Sequence, residues 1–210
     1  MSDWYRRKTW TKADEDEFFA KLDRARKDGR AQYLKIQAIE LVETNDKQLL
    51  KVAESLLNKM LNEFPDDNFN KSSALHTLGD IHKINNNFEM AINYYKKAID
   101  FEIIYPNVKT NSYLDFSELI IKTNKTDQYD LVECLLLKEI PEQLFPILKY
   151  KTYTILSVIN GQRNNMDQAR YFADLADKNA NAETSGLQYH KYLGVVKDRD
   201  NWLDKLVKRS

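Results

Sequence analysis

The chain has 210 residues, enough to bury a substantial core without disulfides or metal ions, and its 32 Lys+Arg against 32 Asp+Glu leave a formal charge of zero. That balance supplies no global field toward nucleic acid, an acidic ligand or a membrane surface, so any charged site has to be local. Five glycines and four prolines, without apolar/polar alternation between turn formers, leave little material for a sheet and imply an all-helical protein.

The N-terminal "MSDWYRRKTW" is basic but has no apolar run behind it, and no stretch approaches the roughly 20 apolar residues of a membrane helix. A cytoplasmic protein with no membrane partner is expected. Within residues 4–10, "WYRRKTW" reads as a strap whose Trp4, Tyr5 and Trp10 pack on the first helices. A secondary reading takes the same aromatics and cations as an RNA-binding patch. The next segment predicts a helix with Thr11 as N-cap, acids from Asp14 to Glu17 in its first turns, and Arg24, Arg26 and Lys27 at its end. Phe18, Phe19, Leu22 and Ala25 form its buried stripe, and Gly29 reads as its stop. Residues 1–30 are therefore expected to be a strap and an N-terminal capping helix.

From there the apolar spacing predicts helices in pairs separated by proline-containing breaks. The first pair runs from Gln32 to Thr44 and Lys47 to Phe64, and the second from Ser73 to Lys83 and Phe88 to Ile104. A weaker third pair contains Tyr113, Leu114, Ser117 and Ile120, then Leu131, Val132, Leu135 and Leu136. A fourth contains Tyr153, Leu156 and Ser157, then Ala169, Tyr171, Phe172, Ala173 and Ala176. Small residues recur in the first helices at Ala38, Gly79, Ser117 and Ser157, separated by 41, 38 and 40 residues. In the second helices Ala53, Ala91, Val132 and Ala169 are separated by 38, 41 and 37. A period near 40 in both helices is the mark of a helical repeat. Antiparallel helices approach closely only where one lacks a large side chain, so each pair needs a small residue at its crossing. The lone Cys134, among apolar neighbours, is expected to be buried and reduced.

In the second pair Leu75, Leu78-Gly79, Phe88, Ala91, Tyr95 and Ala98, with Pro106 following, resemble the tetratricopeptide repeat motif. Ala53, Leu57 and Pro65 of the first pair, and Tyr153, Leu156, Ser157, Ala169, Ala173 and Ala176 of the fourth, resemble it less completely; the third pair is degenerate. The resemblance covers residues 31–180 and is to a group of small bacterial cytosolic members. It implies a right-handed α-solenoid of about four hairpins, one domain over 1–210. Residues 181–210 then form an extended tail, with Leu193, Val195 and Val196 tucked inward, and a C-terminal capping helix that turns Trp202, Leu203, Leu206 and Val207 inward.

The resemblance also implies that a partner protein or peptide binds the concave face of the first helices. On this chain that face comprises Gln32, Lys35 and Ile39; His76, Asp80 and Lys83; Asn111 and Glu118; Lys151 and Thr154. Its mixed charge suits a folded surface or a mixed-charge segment. Ile39, where the family's carboxylate-gripping variant carries asparagine, argues against that clamp. No P-loop, His-Glu-x-x-His, CxxC pair or Gly-x-Ser-x-Gly elbow occurs, so no catalytic residue, cofactor or metal site is expected. The expected function is a non-enzymatic interaction module, an adaptor or inhibitor, with an immunity protein that neutralises a bacterial toxin as one form. The competing class is an enzyme or small-ligand-binding protein using His76 and Asp80, or the loop around His190.

Overall fold

A computed structural model describes residues 3–207. Among the described residues there are ten α-helices and no strand: α1 Lys12–Arg24, α2 Lys27–Val42, α3 Lys47–Glu63, α4 Lys71–Ile84, α5 Phe88–Ile104, α6 Ser112–Lys122, α7 Tyr129–Glu139, α8 Pro146–Gln162, α9 Met166–Ala180 and α10 Asn201–Asp204. None of the described helices is long and apolar enough to cross a membrane. The chain divides into two compact units at Ser112/Tyr113.

The first unit holds α1 to α5. Thr11 caps α1 through a reciprocal box, its hydroxyl accepting from Asp14 N and Asp14 Oδ2 accepting from Thr11 N. Gly29 does not stop this helix. The break falls at Ala25 and Arg26, and the Arg30 guanidinium donates to the carbonyls of Ala25 (3.1 Å) and Asp23 (2.5 Å); Gly29 lies inside the first turns of α2. The helices pack as α2 on α3 and α4 on α5, and α4 also packs on α2 and α3. The core at this packing includes Phe18, Leu34, Ala38, Leu41, Leu50, Ala53, Leu57, Leu78 and Ile81, all fully buried. Trp4, Tyr5 and Trp10 close over its N-terminal edge as the strap predicts: Trp4 lies 5.3 Å from Phe18 and 5.0 Å from Tyr33, and Trp10 lies 5.3 Å from Phe18. Gln37, fully buried, holds the strap backbone from both sides, accepting from Arg7 N (3.0 Å) and donating to Arg7 O (2.8 Å).

The second unit contains α7 packed on α8 and α8 packed along α9. Helix α8 is enclosed along much of its length, with Tyr150, Thr154, Ile155, Ser157 and Ile159 all buried, and the tail closes on its first turns. Gly194 O accepts from Ile147 N at 2.8 Å, and Gly194 has φ +70 with Phe145 2.5 Å from where a Cβ would stand, so only glycine fits. The Tyr150 hydroxyl accepts from Asp200 N (3.0 Å) and donates to Asp204 (3.1 Å), while Arg199 ties Asp204 to Asp177 of α9. The C-terminal helix is a single turn. Leu203 and Val207 are buried, but Leu206 points to solvent, and so does Leu193, because the tail is held by its polar groups and Gly194 more than by those leucines. The expected capping segment continues into residues 208–210, which lie outside the described residues. Cys134 is exposed, against expectation: α7 turns Tyr129, Val132 and Leu136 inward, and position 134 falls on the opposite side. Leu131 and Tyr171 are solvent-facing for the same reason of helical phase.

The small-residue series holds throughout. Ala38, Ser117, Ser157, Ala53, Ala91, Val132 and Ala169 are all fully buried, and Ser157 donates across its hairpin to Ala169 O at 2.7 Å. A second series accompanies it. Among the described residues the non-glycine positions with positive φ are Asn45, Asn86, Asn124 and Asn164, at φ 56, 58, 53 and 59. Each lies seven residues after its small residue, so the separations are again 41, 38 and 40. Asparagine tolerates the left-handed region better than most side chains and ends the helix there. In three turns the next N–H closes the end, Asn87 to His82 O (2.8 Å), Lys125 to Ile120 O (3.1 Å) and Asn165 to Asn160 O (2.9 Å). Asp46 and Asn87, one residue after their asparagines, then cap the second helix with their side chains. Lys125 has no such acceptor. A 3-10 turn, Thr126–Gln128, intervenes and α7 starts only at Tyr129.

Candidate partner-binding face

The structure brings together the parts of the expected groove that lie on α2 and α4. Gln32 is exposed, while Lys35, Ile39, His76, Asp80 and Lys83 are half-buried on two helices packed against each other. Asn111 is exposed in the segment leading to α6. Burial pushes the Lys35 ammonium below its ordinary pKa, with Asp67 pulling the other way. The strap is anchored on other residues of α2 and on its C-cap. Arg6 pairs with Glu40 (2.8 Å), Lys8 with Glu40 (2.6 Å) and Glu43 (2.5 Å), and Tyr5 packs 4.7 Å from Tyr33.

Two of the expected face residues turn out differently in the second unit. Thr154 is fully buried and donates to Tyr150 O (2.7 Å), and Glu118 is nearly so and pairs with Lys151 at 3.0 Å. Neither side chain faces solvent, because α8 is enclosed where an outermost helix would be half-open.

His76 and Asp80 stand one turn apart, with His76 Nδ1 3.7 Å from Asp80 Oδ2. Asp80 also accepts from the hydroxyl of fully buried Tyr95 at 2.7 Å, and the His76 ring lies 5.4 Å from that of Tyr95. This arrangement fixes α5 against α4 just where Gly79 lets Tyr95 in. His82 stacks on Tyr94 at 5.2 Å and 9°, with Nε2 3.7 Å from Glu54. The His190 loop is closed by backbone: Ser185 N donates to Lys191 O (2.6 Å) and Ser185 Oγ to His190 O (2.8 Å). Its Tyr189 and Tyr192 project outward, 86% and 77% exposed. The strap's three cations are all ion-paired, Arg7 with Asp14 (2.6 Å) and Glu17 (2.5 Å), and its aromatics pack on α1 and α2.

Sequence reasoning missed Gln37, the residue that clamps the strap, and Glu102, a buried carboxylate that accepts from Ser72 and from Thr110 N (2.9 Å) and Oγ1 (2.6 Å). Both are polar residues on apolar stripes, which is the signal that was available. Comparison of the chain with protein-family models, with curated proteins and with solved structures finds no match in any of the three.

Proposed function

We propose that the chain is a non-enzymatic protein-interaction module of tetratricopeptide type, a right-handed solenoid of about four hairpins, and that the α2–α4 face carrying Gln32, Lys35, Ile39, His76, Asp80 and Lys83 receives a partner protein or peptide. The observation that carries the reading is the coupled series of buried small residues and left-handed asparagines, both spaced 41, 38 and 40. Each hairpin is thereby built to one plan, and stacked hairpins leave a continuous first-helix face whose natural use is recognition. The mixed charge of the face favours a mixed-charge partner segment, as an adaptor or a sequestering inhibitor would offer. The structural work done by Asp80 on Tyr95, and the ion pairing of the strap cations, favour this reading over catalysis by His76 and Asp80 or RNA binding at residues 4–10. The test is affinity capture from native lysate with the full chain and with a Gln32→Ala, Lys35→Glu, Ile39→Asp variant. One stoichiometric protein lost with the variant and kept with a Tyr189→Ala control supports the groove; capture that survives the triple change refutes it.

A further inference from the structure

Helix α7 packs one side on α8 through its buried Tyr129, Val132 and Leu136 and leaves the other in solvent. On that outer side Leu131 is 38% and Leu137 46% exposed, with exposed Cys134 between them. The flanking charges are exposed as well, Asp130 before the leucines and Lys138 after them. The pattern is symmetrical about Cys134: leucines three residues to either side, an acid four before and a base four after. All five positions fall within about 120° of helix circumference. Asp130 pairs with Arg163 within the chain, but its side chain is 95% exposed and that pair is weak. Lys138 has no ion pair among the described residues.

We propose that this outer face of α7 binds a second copy of the chain, antiparallel, with a two-fold axis through Cys134. Two such helices at the usual interaxial distance of about 8–10 Å set Leu131 at the level of Leu137 of the second copy and Cys134 opposite its equivalent. Asp130 comes level with Lys138 of the second copy, twice, on the two sides of the axis. A two-fold contact requires one surface to be complementary to itself. An unrelated partner needs no such symmetry, whereas a like copy placed parallel sets Asp130 against Asp130 and Lys138 against Lys138. The self-complementary charge order therefore selects both the occupant and its direction. The apolar patch is smaller than a standard interface, so the dimer is weak and concentration-dependent. This inference stands apart from the groove, since none of its residues belongs to that face.

The test is sedimentation equilibrium of the full chain in reducing buffer at low salt, with the wild type, Asp130→Lys, Lys138→Asp and the double exchange. Each single change makes the pair like-charged and weakens association by about tenfold or more; the double exchange restores it to within about threefold. Leu137→Asp abolishes it, and circular dichroism checks that these surface variants stay folded. Diamide supplies a second readout. Two Cys134 thiols give up two protons and two electrons to the diazene, which becomes a hydrazine as the sulfur–sulfur bond forms, and the covalent dimer accumulates in wild type and double exchange but not in the single variants. A chain monomeric at every concentration, or a dimer indifferent to the charge exchange, overturns the proposal.

Discussion

Replacing Gly79 by alanine sets two effects of opposite sign against each other. In an exposed helix the change stabilises by about 1 kcal/mol through helix propensity alone. Here a Cβ at position 79 would stand 2.4 Å from Tyr95 Cε1 and 2.5 Å from Cδ1, contacts no side chain sustains. The ring cannot withdraw easily, being fully buried with its hydroxyl held by Asp80 at 2.7 Å. Overpacking of this kind costs about 1–3 kcal/mol, or more where the neighbour is rigid. The net expectation for Gly79→Ala is therefore a loss of up to about 2 kcal/mol, and for Gly79→Leu about 3 kcal/mol or more. Urea unfolding followed by far-UV circular dichroism measures both. A double-mutant cycle with Tyr95→Leu should show coupling of at least about 1 kcal/mol, because the smaller side chain vacates the space that the new methyl needs. A stabilised Gly79→Ala protein, or a cycle without coupling, would refute the argument that this glycine exists to admit Tyr95.

Asn86→Ala should destabilise by about 1–2 kcal/mol, since alanine pays the left-handed penalty without asparagine's local polar contacts, whereas Asn86→Gly should be close to neutral in the same urea assay. Asp14 is held down to about 2 from its ordinary 3.8, first by the backbone N–H and hydroxyl of Thr11 and then, against desolvation, by Arg7. A lowered folded pKa contributes stability above pH 4 that disappears as pH falls toward 2, so Asp14→Asn should flatten that part of the stability-versus-pH curve; an unchanged slope contradicts the assignment. Burial pushes the Tyr150 hydroxyl up to about 12, with the Asp200 N–H opposing and Asp204 reinforcing. Its folded pKa lies above the unfolded one, so its contribution is complete below pH 10 and is lost as pH rises through 12; Tyr150→Phe should remove that alkaline loss and also loosen the tail, seen as faster proteolysis after residue 180.

The helices, and the pairing of α2 with α3, α4 with α5 and α8 with α9, were legible because they rest on apolar period and on buried small residues, which are local signals. The asparagine series was equally present in the chain, at a fixed offset from the small residues, but it becomes recognisable only with the backbone angle that each asparagine adopts. The third pair also departs from the others at its turn, where Lys125 stands in place of Asp or Asn and a 3-10 turn precedes α7. What could not be read was long-range covering. Nothing near residue 150 announces that the tail fifty residues on will anchor at Tyr150, and nothing local to Thr154 or Glu118 announces that both are enclosed instead of open to a partner. Cys134 shows the reverse error, since apolar neighbours in sequence do not decide helical phase. On α2 and α4 the residues named from the sequence are half-buried or exposed on two helices that pack together; what binds there has no local signal at all.

Hydrogen–deuterium exchange on the captured complex decides whether recognition uses that face. Because groove binding orders the first helices from their exposed side, protection should rise across residues 32–39 and 76–83, with the strap at 4–10 and the loop at 185–193 unchanged. Protection confined to the strap or to the loop, with α2 and α4 exchanging as in the free protein, would contradict it.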